Sequence, residues 1–440
     1  MEGEMQRCFG TVVVCLLSTI LAAKAFSQAP SIDVLAYDLQ VLVDLPNHRL
    51  DVMTQLDMQR PEALASVELL FSSEAKIRSV QTVSGGGRAN VLCQTTDSNT
   101  VRLALPPNAS ASKLSLIFEY TFPTASTIDK VFILDRGNRW YPLIVDDIAL
   151  MRLTVQVAPE YDVFSAGELV DMEKTTGYSR FTWQSRIPVF KVPLVITKAG
   201  LYNEVNKECG GQELSFYFLQ DAKDSNEKMA DEACEAVKFF TESIGPSPHQ
   251  RLTLLEVADM DGSAICSSLI LVGSSFVGAF RDGYYDGLHL PIAAQWMGAG
   301  AFAKFKERGF WFLTLSLPHH LRLGYIRKSK GEEAFAKELQ GLVDRYKQIV
   351  GAEGEVAILD VDFPNTKEKG LAIYAKGPVV LESVQSLLGR KVWDEFIKEL
   401  YHDYLGKILT YEAFKNSLAK YDRDGKAVCK LEKMLSEKGL

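Results

Sequence analysis

Metal binding, proton transfer and nucleophilic attack each need particular side chains at particular spacings, and few stretches of this chain offer them. A zinc-binding helix needs two histidines at i and i+4, so that both lie on one face. His289 is followed four residues later by Ala293, so that pattern is broken. His319 and His320 are adjacent, and neighbouring side chains on a helix diverge by about 100°. One reading assembles a relocated metal set from His289, His319 or His320, and Asp282 or Asp286. The other makes these histidines solvent-facing or capping groups. Ser267-Ser268 and Ser274-Ser275 raise the question of a serine nucleophile. Gly273-Ser274-Ser275-Phe276-Val277 lacks the closing glycine of a nucleophile elbow, so loop and cap roles are expected. Arg322, Arg327, Lys328 and Lys330 form a short basic run, read as a solvated helix connection or as a weak anion patch. Gly283-Tyr284-Tyr285-Asp286-Gly287 is a tyrosine turn that either lines a cleft or lies on the surface.

The elements that must position these groups change character along the chain. Of 440 residues, 48 are Lys or Arg and 56 are Asp or Glu, a formal net charge of -8. No basic excess is present to meet a nucleic-acid backbone, and none is expected to bind. The length suits two or three domains. Arg7 is followed by an apolar run from Cys8 to Ala23 and then by small residues, which reads as a secretory signal over residues 1–25. The alternative is an uncleaved N-terminal anchor, although the run is short for a bilayer span. Export to the periplasm or the extracellular space follows from the first reading, with no transmembrane span once the signal is removed. Export permits disulfides. Cys209 with Cys234 is one pairing, and buried free thiols acting as small apolar groups is the other reading.

Residues 26–200 read as strands, with alternation over 34–44 and 49–58 and further strands at 66–71, 101–105, 114–120, 151–157 and 178–184. Many short strands with regular turns indicate an antiparallel sandwich or saddle. Beyond Leu219 the period becomes helical. Met229, Ala233, Val237 and Phe240 recur at three- to four-residue spacing. Strands are expected at 251–257 and 269–272. Helices are expected at 288–306, 311–324, 332–349, 377–388, 392–405, 411–420 and 427–437, the sixth starting after Thr410.

Several short blocks, in order, resemble the gluzincin aminopeptidases of peptidase family M1. They are Tyr37-Asp38-Leu39, Trp140-Tyr141-Pro142, Ala166-Gly167-Glu168-Leu169, Phe239-Phe240, Ile244-Gly245-Pro246-Ser247-Pro248, Leu255-Glu256-Val257, Gln295-Trp296-Met297-Gly298 and Tyr374-Ala375-Lys376-Gly377 with Leu387-Leu388-Gly389. The resemblance implies an N-terminal β-domain (26–200) followed by a thermolysin-like, mostly helical domain of catalytic type (201–440). It also implies where catalysis would sit. With Gln295-Trp296 as anchor, the zinc-ligand positions of the HExxH motif fall at Leu290 and Ala294, and the general-base position at Pro291. The third ligand falls at Leu313, or at Thr314 with one residue inserted. The segment that holds the substrate amine aligns with Gly262 to Cys266, its glutamate at Ile265. Leu290, Pro291 and Ala294 cannot bind zinc or move a proton, and none of Leu313, Thr314 and Ile265 is a carboxylate. Tyr374 stands where the family stabilises an oxyanion.

Together these readings describe an exported protein of M1-like fold without zinc and without a catalytic set. Its cleft, lined by Tyr374, Ile265, Gly262, Tyr284 and Tyr285, would bind a peptide or protein. Two alternatives stand beside it: a metallopeptidase with a relocated metal site, and a structural subunit whose cleft is filled by its own side chains.

Overall fold

The computed structural model describes residues 32–61, 64–84, 87–97, 99–107, 112–283 and 285–440, and the side chains of Ser84 and Asp286 are left aside. The signal segment and Tyr284 lie outside the described residues. The chain divides into two compact units. One is the described part of Leu16–Asn203 with Cys266–Leu269; the other is Glu204–Ile265 with Ile270–Leu440.

The N-terminal unit is built on an eight-stranded sheet. Its spatial order is Glu168–Lys174, Ser179–Gln184, Leu150–Val157, Asp33–Asp44, Arg49–Arg60, Ser112–Pro123, Lys76–Ser84 and Gly87–Asn90. Arg49–Arg60 shows why one face is buried: Leu50, Val52, Thr54, Leu56 and Met58 point inward and their neighbours outward. The one polar member, Thr54, bonds the Tyr120 hydroxyl at 3.1 Å, and Tyr120 meets Phe71 edge to face at 4.9 Å. Tyr37 and Tyr141 pack at 5.3 Å, and Trp140 Nε1 donates to Val192 O at 3.1 Å. Two of the sequence blocks therefore meet in one core. One pairing departs from the antiparallel expectation: Asp33–Asp44 runs parallel to Leu150–Val157, with Leu39 opposite Leu153. Alternation fixes which face of a strand is buried but not which strand lies beside it. Two three-stranded sheets complete the unit.

The C-terminal unit carries a five-stranded sheet in the order Asn203–Cys209, Gln212–Phe218, Arg251–Val257, Leu269–Gly273, Ser263–Cys266. Its helices are α1 (Lys223–Ser243), α2 (Ser274–Arg281), α3 (Asp286–Ala293), α4 (Leu317–Lys347), α5 (Lys367–Leu371), α6 (Gly377–Leu388), α7 (Arg390–Tyr404), α8 (Tyr411–Ala419) and α9 (Lys426–Ser436). Helix α1 buries Met229, Ala233, Val237 and Phe240, as its spacing requires. Thr410 caps α8 by accepting from Ala413 N at 3.0 Å. Cys209 and Cys234 are joined in a disulfide, their Cα atoms 5.3 Å apart, while Cys93, Cys266 and Cys429 remain thiols. The basic run is itself helical, and the helical backbone breaks just after it at Gly331 (φ 87°). Arg322 pairs with Glu338 at 3.1 Å and Arg327 with Glu382 at 2.6 Å, so both arginines of the run are engaged within the unit.

Burial also sets a pH response. His249 is buried, and desolvation pushes its imidazole down to about 4. Below about pH 6.5 the unfolded chain takes up a proton that the folded chain refuses. Stability from this group is therefore complete above pH 6.5 and falls as pH drops toward 4, by about 3 kcal/mol across that window. In urea titrations, the difference between wild type and His249→Gln should shrink by about that amount between pH 7 and pH 4. A constant difference would mean that His249 does not titrate as the fold implies.

Candidate functional site

Two segments of π-helix lie at the positions that carried the resemblance. Phe312–Ser316 leads into α4, and Ala372–Lys376 leads into α6. Single π turns are uncommon and often mark functional positions. A local cause is legible: Pro318 and Pro378 have no N–H to donate to the carbonyls of Thr314 and Tyr374, four residues earlier. The ladder instead closes one residue wider, from Leu317 N to Phe312 O and from Gly377 N to Ala372 O. The two segments pack together, and Ser316 Oγ donates to Ile373 O at 2.8 Å inside the contact. A Cβ on Gly377 would lie 2.0 Å from Ser316 Oγ, so this glycine is what lets the segments approach. Proline at i+4 from both positions was the available sequence signal, and hydrophobic periodicity does not register it.

Helix α3 supplies the third side. The structure starts it at Asp286 and ends it at Ala293, with Pro291 inside its last turns. The expected helix over 288–306 is thus cut short. Gly298 adopts φ 133°, and the backbone at Gly300 comes so close to the Gln295 and Trp296 carbonyls that a Cβ would sit at 2.6–2.7 Å. Trp296 Nε1 donates to Gly245 O at 2.9 Å, which ties this turn to the end of α1. The point where a Gly298 Cβ would stand is 3.7 Å from both Ala294 Cβ and Thr314 O. Two of the inferred ligand positions are therefore neighbours, and the π–π contact brings the third element, bearing Tyr374, to Thr314's own segment.

Ala294, Pro291 and Leu313 are buried, and Leu290 is half-buried. Ile265 is half-buried on Ser263–Cys266, the edge strand of the five-stranded sheet. Gly262 turns at φ 79° and accepts from Gly273 N at 2.8 Å. Tyr285 stands at the start of α3, its carbonyl accepting from Leu288 N at 2.9 Å. Leu290, Pro291, Ala294, Leu313 and Thr314 carry no imidazole, carboxylate or thiolate, so the residues present do not fit a zinc ion. Among the described residues, no three His, Cys, Asp or Glu side chains come together as a metal-ligand group.

The histidines are spread among separate partners. His289 Nε2 meets Glu232 Oε1 at 2.9 Å, and the Tyr325 hydroxyl donates to the same oxygen at 3.1 Å. The His289 bond chiefly holds the Glu232 carboxyl below its ordinary range, against the opposing effect of burial. Arg322 NH1 donates to His319 Nε2 at 2.8 Å, which assigns the ring proton to Nδ1. Burial, then Arg322 and Arg345, keeps His319 neutral, and the Tyr374 carbonyl faces its ring. His320 Nε2 meets Glu382 Oε2 at 3.2 Å. The serines are equally committed: Ser274 Oγ donates to Glu256 Oε1 and Ser268 Oγ to Gly167 O, both at 2.7 Å.

One polar atom at this site stands apart. The Tyr374 side chain is 5 % exposed, and its hydroxyl has no hydrogen-bond partner among the described residues. Burial alone raises its pKa, with no charged neighbour contributing. Thr314 Oγ1 is likewise buried without a partner among the described residues. Buried hydroxyls are usually paired, and each unpaired one costs about 1–3 kcal/mol.

The fold is similar to that of M1 zinc metallopeptidases. A solved M1 zinc metallopeptidase from Deinococcus radiodurans superposes with a TM-score of 0.71 at 14% identity, over 93% of this chain and 94% of its own. A mutant of it bound to a Tyr-Ser-Ala substrate gives 0.72 at 14% identity, over 93% and 95%. Native yeast LTA4 hydrolase gives 0.74 at 12% identity, over 93% of this chain and 68% of its own. No family model matches the chain, and no curated protein matches it. At these identities the likeness establishes the fold: an M1-like arrangement of a mostly β N-terminal part and a helical C-terminal part.

Proposed function

We propose that this M1-like chain is a non-catalytic, exported protein that binds peptide through the site around Tyr374. The observation that carries this reading is the Tyr374 hydroxyl, a buried donor with no acceptor among the described residues, on a segment that packs against the one bearing the apolar or neutral Leu313 and Thr314. A peptide carbonyl entering the site would supply the missing acceptor and recover the cost of leaving the hydroxyl bare. Nothing at the site would then cleave the bound chain. Leu290, Ala294 and Leu313 offer no metal ligand, and Pro291 offers no base to activate water. The separate engagement of His289, His319 and His320 counts against a relocated metal site. The tripeptide seen in the Deinococcus enzyme makes Tyr-Ser-Ala a reasonable probe.

Calorimetric titration with Tyr-Ser-Ala and with an N-acetylated copy should show saturable binding. Tyr374→Phe should weaken it about three- to tenfold, the worth of one hydrogen bond. Equal affinity of wild type and Tyr374→Phe would remove Tyr374 from the reading. Burial of Pro291, Ala294 and Leu313 favours a second reading, in which the site is filled and the protein is structural. Absence of any binding would leave that one standing. Export is supported by the Cys209–Cys234 disulfide, which suits an oxidising compartment. N-terminal sequencing of exported protein should begin near Phe26 or Gln28, and an intact Met1 would contradict cleavage.

A further inference from the structure

We propose that Glu437–Gly439 is a latch that holds the π-helical segment Ala372–Lys376, and Tyr374 within it, through a two-point clamp on main-chain atoms made by Lys376 and Glu355. Lys376 Nζ donates to Glu437 O at 2.5 Å. Two residues further on, Gly439 N donates to Glu355 Oε1 at 2.7 Å. The clamp grips one carbonyl and one amide of a stretch that bends at 437–438 and turns at Gly439 (φ 79°), and reads none of its side chains. Glu437, Lys438 and Leu440 are exposed, so no apolar side chain anchors the stretch beyond Leu435 of α9. Beyond the bond from Glu437 N to Lys433 O that closes α9, these two hydrogen bonds hold it among the described residues.

The clamp residues are unusual for their burial. Lys376 is 1 % exposed and Glu355 3 % exposed. Charges so deep are costly to bury and must be met by hydrogen bonds, which here come largely from main-chain atoms. Glu355 is fully committed: the Tyr346 hydroxyl donates to it at 2.8 Å and Gly351 N at 2.7 Å. Lys376 stands over the Tyr346 ring at 5.5 Å. Burial lowers its ammonium to about 8, although Glu355 and Glu437 pull the other way. If the latch lifts, each buried group loses a partner and must take water in its place.

The segment so held is one of the two whose helical ladder is widened. Pro378 removes the donor that would have met Tyr374 O, and the wider π register takes over. Lys376 is the last residue of that register and lies two positions from Tyr374. Opening the latch therefore frees the stretch that aims the Tyr374 hydroxyl. Its effect on ligand binding rests on the proposed role of Tyr374; its effect on the segment does not.

The test compares the wild-type chain with a chain lacking residues 437–440, with Lys376→Met and with Glu355→Gln. Hydrogen–deuterium exchange is followed over residues 371–379, and Tyr-Ser-Ala is titrated into the same samples. The latch predicts tenfold or faster exchange of 371–379 in the shortened chain and in Lys376→Met, with α1 unchanged. Should the shortened chain not fold, Glu355→Gln keeps the shape of the side chain and should still speed exchange at least threefold. Unchanged exchange in the folded variants overturns the latch. Faster exchange with no peptide binding in any sample leaves the latch standing and removes the peptide-binding reading. Faster exchange with unaltered peptide affinity overturns its control over Tyr374.

Discussion

Replacing Gly377 by valine is expected to cost about 4 kcal/mol or more and to leave the helical layer of the C-terminal unit without fixed packing. A Cβ at this position would lie 2.0 Å from Ser316 Oγ and 2.4 Å from Ser316 Cβ. Rotating the serine hydroxyl away relieves only the first clash, so the two π-helical segments would have to separate. Separation would break the Ser316–Ile373 hydrogen bond and loosen two segments whose Leu313, Leu315 and Ile373 are buried. Interiors at crystal-like density do not absorb such a shift cheaply. Ser316→Gly alone should cost less, and combining it with Gly377→Ala should recover part of what Gly377→Ala loses. That non-additivity, measured by denaturant unfolding of the four members of the cycle, is the signature of direct contact. Additive losses would mean that the segments are not in register as described.

The same glycine shows how far the sequence could be read. Its block, Tyr374 to Gly377, was legible as a unit, and so was the helix that follows it at Gly377–Leu388. What the block packs against was not legible, because Ser316 lies 61 residues earlier and no local pattern points to it. Helix α1 and the Thr410 cap were readable for the opposite reason: a 3.6-residue period and a capping hydroxyl are local physics. The helix at Leu290 was misjudged at its far end. It was expected over 288–306, yet it runs from Asp286 and ends two residues after Pro291. Position 287, whose carbonyl a helical proline crowds, is a glycine, and Gly298 and Gly300 then turn the backbone where periodicity alone ran on to residue 306. Among the candidate site residues, Ala294, Thr314 and Tyr374 fall on neighbouring elements, whereas Ile265 lies in the sheet and Gly262 turns just before its strand.

The central claim concerns chemistry that is missing rather than altered. A zinc site wants three protein ligands or more in a tetrahedral array. Here every inferred ligand position is apolar or neutral, and the base position is a proline. No single reversion should therefore restore turnover. Even Leu290→His, Pro291→Glu, Ala294→His and Thr314→Glu together place new ligands on a helix that ends at Ala293 and on a π turn, so their geometry need not close around a metal. The direct measurement is mass-spectrometric metal content of the purified wild-type chain, taken alongside hydrolysis of amino-acid arylamides with and without a chelator. The account predicts zinc at roughly a tenth of an equivalent or less and no chelator-sensitive hydrolysis. About one equivalent of zinc, with turnover that a chelator abolishes, would contradict it.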